Sequence, residues 1–305
     1  MQTGQVYQIL NLCLTPRPTM FFYPLLSLVI FLSAYEVKCP LEPSNLYPLM
    51  WGISVALISN FGANLWNHSN DIKEDLAHGK NNILTQGYID KKTTIFLALI
   101  FYIISISIIY AISIKFNRPI LIFFLIWCFI TWWYSDTLLL KKIFGFRLKD
   151  HYIGELVTYS IACPSFTLSL WLVYSDLNFK GLALTLVFIF YGISGLLIKD
   201  LKDIYGDREA GLMTFGVVFQ PSFLLYLSSI LLVLYYISIF VFTAINVFDT
   251  GSFLVVIPFL FFIMGTFVHF YRKNWKLEKT DYKSVQNMML TTYASLFLLA
   301  IGNAI

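Results

Sequence analysis

The stretch 46–75, LYPLMWGISVALISNFGANLWNHSNDIKED, decides how the chain is read. Its first part, 46–66, holds no Asp, Glu, Lys or Arg. A run of about 20 mostly apolar residues is what a helix needs to cross a hydrocarbon core of about 30 Å. The run then ends in polar residues in which Asn67, Asp71 and Asp75 recur every fourth position. On a continuing helix that spacing covers only about 80° of arc, so the three side chains face one way. The stretch therefore predicts a membrane-crossing helix with an acidic face at one mouth.

The same pattern of apolar runs and polar punctuation fills the chain. Further runs fall at approximately 20–36, 93–114, 119–135, 152–174, 179–198, 220–245, 252–271 and 286–304, which with 46–66 makes nine predicted crossings. The first and fourth are the shortest. Across the 305 residues 58% are hydrophobic and only 12% charged, and the mean hydropathy is +0.72. A soluble domain carries about 25% charged residues and has no way to hide so much apolar surface. An all-α membrane protein with one transmembrane domain over 1–305 is predicted, because lipid solvates the side chains that a soluble chain would bury.

A second acidic cluster, K199-DLKDIYGD-R208, follows the sixth run and places Asp200, Asp203 and Asp207 on one helical face. Asp71 to Asp203 and Asp75 to Asp207 are equal steps, which hints at two related halves. Carboxylates at the mouth of an apolar bundle are expensive and repel one another, so a cation is needed to balance them. Hard oxygen ligands select magnesium, which leaves positions for water and substrate phosphates. Solvated loop carboxylates are the plain alternative, but a merely solvated loop has no need of such a face twice. An EF-hand is excluded, since neither cluster has that loop's spacing or its terminal Glu.

Charge asymmetry sets the topology. With nine crossings, 17 of the 21 Lys and Arg residues share a side with the N-terminus, and only Lys38, Lys115, Arg118 and Lys180 lie opposite. The positive-inside bias puts the N-terminus and both Asp-rich loops in the cytoplasm, as in a multi-pass protein of the cell membrane. Cys13, Cys39, Cys128 and Cys163 are dispersed without a CxxC spacing, which argues against zinc or iron–sulfur sites. No cleavable signal peptide is predicted at 1–19.

With both clusters in hand, the chain resembles the UbiA superfamily of intramembrane prenyltransferases over most of its length. That family's first motif, NxxxDxxxD, is matched by Asn67, Asp71 and Asp75, with His68 where an extra Asp is often found. Its second, approximately KDxxDxxGDxxxG, is matched by Lys199, Asp200, Asp203, Gly206, Asp207 and Gly211, with Thr214 continuing the ending. T15-P-R-P18 resembles the family's Arg-Pro entry. Y134-S135 followed by Lys141 resembles its Tyr-Ser and Lys pairing, although Asp136 and Thr137 stand where prolines are common. Lys80, Asn81 and Gly87 fit the end of the first motif.

The resemblance implies nine helices in a bundle around a central cavity, with cytoplasmic cap loops after helices 2, 4, 6 and 8. It implies Mg2+-dependent transfer of a prenyl group from a prenyl diphosphate to a small aromatic or lipid acceptor. Asn67, Asp71, Asp75, Asp200, Asp203 and Asp207 are the implied metal ligands, with Asp71, Asp75, Asp203 and Asp207 central to catalysis. Lys80, Lys141, Lys199, Arg208, Arg17 and Asn67 are the implied substrate-binding groups. Tyr134 is the candidate π wall for an allylic carbocation. The implied partners are a prenyl diphosphate, an acceptor and the bilayer, with no nucleic acid.

Several of these residues have plainer readings. Lys142, Arg147 and Lys149 suit topology determinants at lipid headgroups as well as they suit a site, and Tyr134 suits an interfacial anchor. His68 reads as a hydrogen-bonding neighbour, and His151 and His269 as interfacial. Glu155, an acid at membrane depth, is predicted to face the bundle interior and to touch the acceptor or pair with a Lys. Within the same class, an ether-lipid transferase and a terpene cyclase remain open. A cation transporter predicts acids near mid-helix, and here they cluster at one face.

Overall fold

The structure, a computed structural model, describes residues 3–14, 18–34, 43–77 and 79–304. In an apolar medium every backbone amide and carbonyl must be paired within its own segment, and helices do this. The chain is accordingly helical. The elements in order are α1 Thr3–Cys13, α2 Pro18–Ala34, α3 Pro43–Asn70, α4 Ile72–Ala77, α5 Lys91–Phe116, α6 Ile120–Ser135 and α7 Leu140–Phe144. After these come α8 Tyr152–Tyr174, α9 Phe179–Glu209, α10 Phe215–Val218, α11 Pro221–Ala244, α12 Val256–Phe262, α13 Val268–Arg272 and α14 Tyr282–Gly302. A 3-10 stretch precedes α12 and a π turn, Ile263–Phe267, joins it to α13, so Thr250–Arg272 runs as one segment.

Among the described residues, seven helices are long and apolar enough to cross a membrane. Phe22–Ala34 and Ile120–Ser135 are apolar but shorter. They correspond to the first and fourth of the nine runs predicted from sequence.

Local sequence fixes the helix ends. The Asp90 side chain accepts from Thr93 N to open α5, and Asn117 closes it in the left-handed conformation. Asn178 accepts from Gly181 N to open α9. Successive helices then pack in turn: α3 on α5, α5 on α6, α6 on α8, α8 on α9, α9 on α11, and α14 back on α2. Buried hydroxyls join neighbours where lipid offers no hydrogen bond. Ser27 meets Tyr174 at 2.6 Å across α2 and α8, Ser194 meets Ser228 at 2.8 Å across α9 and α11, and Tyr235 meets Ser295 at 2.9 Å across α11 and α14.

Two departures from the sequence reading position the site. The helix predicted over 46–66 continues to Asn70, breaks at Asp71, and restarts as α4. The helix predicted over 179–198 runs unbroken to Glu209 and carries the second motif from Lys199 to Asp207, with Gly211 just beyond its end.

Candidate active site

The break at Asp71 barely disturbs the spacing, because Asp71 N still donates to Asn67 O at 3.0 Å and Asp75 N to Asp71 O at 2.7 Å. Asp71 and Asp75 are 4% and 3% exposed. Each is held by cations of its own chain. Lys149 Nζ lies 2.6 Å from Asp71 Oδ1, and Arg147 Nη1 lies 3.5 Å from the same oxygen. The Arg147 guanidinium also reaches Glu74 and Asp150, each at 2.7 Å. Asp75 is met by Lys80 Nζ and His68 Nδ1, both at 2.9 Å.

These environments move the two carboxyls in opposite directions. Burial pushes the Asp71 carboxyl above its ordinary range, against the pull of Lys149 and Arg147. Burial acts on Asp75 as well, but the hydrogen bonds and charges of His68 and Lys80 outweigh it and bring that carboxyl down to about 2. Burial is outweighed too at Asp150, by Arg147 with its backbone amide, which lowers that carboxyl.

The second motif is balanced differently. Asp200 is fully buried, no amide, hydroxyl or ammonium donates to its oxygens, and the Glu155 carboxyl is its side-chain neighbour. The nearest cation, Lys199 Nζ, is 3.7 Å from Asp200 Oδ1 and 3.8 Å from Glu155 Oε1. The Tyr134 hydroxyl donates to Glu155 Oε1 at 3.3 Å and accepts from Lys199 Nζ at 3.2 Å. Lys199 Nζ also stands 5.8 Å from the centroid of the Tyr134 ring. One turn on, Asp203 is half-buried, and Asp207 accepts from Thr214 Oγ1 at 2.8 Å.

The two motifs meet because α4 packs against α9. A short parallel bridge reinforces the meeting: Tyr152 N donates to Met213 O at 2.8 Å and Met213 N to Asp150 O at 3.0 Å. The loop bearing Arg147 and Lys149 is thereby tied to the loop that follows the second motif.

The structure places every sequence-predicted site residue but Arg17. Asn67, Asp71, Asp75, Lys80 and His68 form the first cluster, with His68 as a hydrogen-bonding neighbour of Asp75. Tyr134, Glu155, Lys199 and Asp200 form the core of the second, and Glu155 does pair with a Lys. Lys141 reaches only Asp150, at 3.8 Å, and Arg208 is exposed. Arg17 lies outside the described residues. Arg147 and Lys149 lie 4% and 7% exposed against Asp71, so the headgroup reading of these two gives way to a buried one. The charged run R147-LK-D150 was the available signal, but nothing in it tells a buried cation from a solvated one. Asp136 and Thr137, at the positions of the family's prolines, make hydrogen bonds that prolines lack: Asp136 accepts from Leu138 N and Leu139 N, and Thr137 N donates to Asn70 Oδ1.

Among the described residues, no three acidic, His or Cys side chains stand together at metal-ligand spacing. The donor set still suits a hard cation. Asn67 Oδ1, both Asp200 oxygens and Glu155 Oε2 are buried acceptors with no donor, and unpaired buried acceptors are costly unless something positive meets them.

The UbiA prenyltransferase family profile matches residues 21–295. A relative from Archaeoglobus fulgidus, described as an uncharacterized protein, is 32% identical over 302 residues, covering 97% of this chain and 99% of the relative. Among solved structures, a digeranylgeranylglyceryl phosphate synthase aligns with a TM-score of 0.69 at 16% identity, covering 99% of both chains. A UbiA homolog from Archaeoglobus fulgidus bound to GPP and Mg2+ aligns with a TM-score of 0.64 at 15% identity, covering 98% of this chain and 100% of that one. These two likenesses are likenesses of fold. The chain is an intramembrane enzyme of the prenyltransferase class. It belongs to the UbiA prenyltransferase family.

Proposed function

We propose that this enzyme transfers a prenyl group from a prenyl diphosphate to a small aromatic or lipid acceptor in a Mg2+-dependent reaction. The observation that carries the reading is the pair of buried carboxyls Asp200 and Glu155 beside Lys199, on the helix against which the first motif's α4 packs. Asn67, Asp71, Asp75, Asp200, Asp203 and Asp207 are the residues that would hold magnesium. When bound, the metal supplies neutralisation of the diphosphate and its stabilisation as a leaving group. Lys199, Lys80, Arg147 and Lys149 meet further negative charge on the diphosphate, with Arg208, Lys141 and Arg17 at the periphery. The Tyr134 ring offers its π face to positive charge developing on the allylic carbon.

The membrane arrangement completes the reading. The seven long helices and the two shorter apolar ones make nine crossings, with the Asp-rich loops and the N-terminus in the cytoplasm and the helices around a central cavity. Cap segments α4, α7 and α10 then follow the second, fourth and sixth crossings, and 273–281 follows the eighth. Both acceptor classes remain within the reading, since each uses the same diphosphate site.

The test is diphosphate release by the purified full chain given prenyl diphosphates of several lengths, with and without magnesium. Release is expected only with magnesium, and expected to collapse in Asp71→Asn and Asp203→Asn. Release that survives both substitutions sinks the mechanism, and release without any acceptor redirects it to a cyclase.

A further inference from the structure

Gly195 lies one turn before Lys199 on α9, about 6 Å along the helix axis. A methyl group added at Gly195 would meet no atom within 4 Å, and the residue is exposed although it sits in mid-helix. In a membrane helix such exposure ordinarily means lipid. The residues on either side of it exclude that here.

At about 100° per residue, Gly195 falls between Tyr191 on one flank and Lys199 and Gly192 on the other. Tyr191 stacks on Phe22 of α2 with ring centroids 5.6 Å apart, and lies 5.7 Å from Tyr235 of α11. Lys199 reaches Tyr134 of α6 and Glu155 of α8. Gly192 lies so close to α8 that an added Cβ would stand 2.5 Å from Cys163 Sγ. Both flanks of Gly195 therefore touch helices of the bundle interior, and the space it faces is a hollow between them. The Tyr191 and Phe22 rings and the Cys163 thiol stand on its flanks, and Lys199 lies one turn further along the same helix face.

We propose that Gly195 sets the length of prenyl chain the enzyme accepts. This rests on the prenyl-transfer reading above. A diphosphate held at Lys199 and the Asp residues sends its chain down the hollow past Gly195, and a glycine there leaves the passage open. A bulky side chain at this position stops the chain about 6 Å below Lys199. Dimethylallyl diphosphate then still fits, and longer chains do not.

The test compares the wild-type chain with Gly195→Phe and Gly195→Leu in nanodiscs, with Gly195→Ala as the folding control. Diphosphate release from dimethylallyl diphosphate is expected to stay within about twofold of wild type. Release from geranylgeranyl diphosphate is expected to fall roughly tenfold or more in kcat/KM, the order by which a filled pocket rejects a ligand it no longer fits. Thermal stabilisation by geraniol and geranylgeraniol reads the hollow without catalysis, and the bulky variants are expected to lose only the longer alcohol's effect. Equal losses at every chain length, or undiminished use of the longest chain and its alcohol by both bulky variants, overturn the proposal. If the wild type releases no diphosphate from any substrate, the prenyl-transfer reading fails, while the alcohol series still decides whether Gly195 limits chain length.

Discussion

Asp71 and Asp200 each stand where an apolar run gives way to an Asp-rich motif and are 4% and 0% exposed, yet they are balanced in different ways. Asp71 is clasped by Lys149 at 2.6 Å and Arg147 at 3.5 Å, cations delivered by a loop more than 70 residues along the chain. Asp200 has a second carboxyl, Glu155, as its side-chain neighbour, and its nearest cation stands at 3.7 Å. A buried carboxylate without a close cation is costly, so the second motif carries a debt that the first has settled internally. The difference assigns separate roles to the two halves of one site. On the proposed reading the second motif would take a cation from outside, and Asp71 Oδ1 would first have to give up Lys149.

The largest expected effect separates function from stability at the second motif. Asp200→Asn is expected to lower magnesium-dependent diphosphate release on the order of a thousandfold. The same substitution is expected to move the melting temperature little, because Asp200 makes only a long contact with Lys199, which keeps Glu155 as a partner. Asp71→Asn is expected to be as damaging to activity but to lower the melting temperature, since it leaves the buried Lys149 without its ion-pair partner. Thermal unfolding and release measured on both variants check the pair, and melting shifts of equal size break the comparison.

Next in size is Arg147→Ala, which leaves Asp71, Glu74 and Asp150 without their shared guanidinium. Breaking such a buried network costs about 3 kcal/mol. Arg147→Lys is expected to recover little of it, because one ammonium has no fork with which to span three carboxylates. Chemical unfolding in detergent measures both variants, and full recovery by Lys would show that charge alone suffices there.

These predictions rest on contacts of unequal legibility. The apolar run 46–66 and the two Asp motifs are readable because hydrocarbon thickness and helical period act on residues close together in sequence. Glu155 is readable for the same reason, since an acid at that depth must find a partner and finds Lys199. Arg147 and Lys149 are not, because a cation beside the membrane looks the same in sequence whether it ends at a headgroup or against Asp71. That outcome depends on how the 145–151 loop folds back, and the backbone bridge from His151 to Met213 that directs it leaves no mark on side-chain pattern. The shortness of Ile120–Ser135 is partly legible, as Asp136 directly follows it. Gly195 carries no sequence signal at all, since a glycine in an apolar helix is equally at home against a neighbour or beside a hollow.

Two smaller effects sharpen the comparison. Lys149→Met removes the cation that competes for Asp71, so magnesium alone is expected to stabilise the variant at about tenfold lower concentration than the wild type, by linkage. An unchanged magnesium titration means that Lys149 is not the competitor.

Asp281 supplies a compensated carboxylate away from both motifs. It is bound by Lys273 at 2.9 Å and His269 at 2.8 Å, just before α14. Burial opposes its ionisation, but Lys273 and His269 prevail and lower its pKa from 3.8 to about 2. A lowered folded-state pKa means stability that is present above about pH 4 and lost as pH falls toward 2. Lys273 is partly solvated, so the contribution is about 1 kcal/mol or less. Asp281→Asn is expected to cost that amount at neutral pH and nothing near pH 2, with magnesium dependence untouched. A shifted magnesium titration in this variant would mean that compensation in general, and not the cations clasping the first motif, governs metal binding.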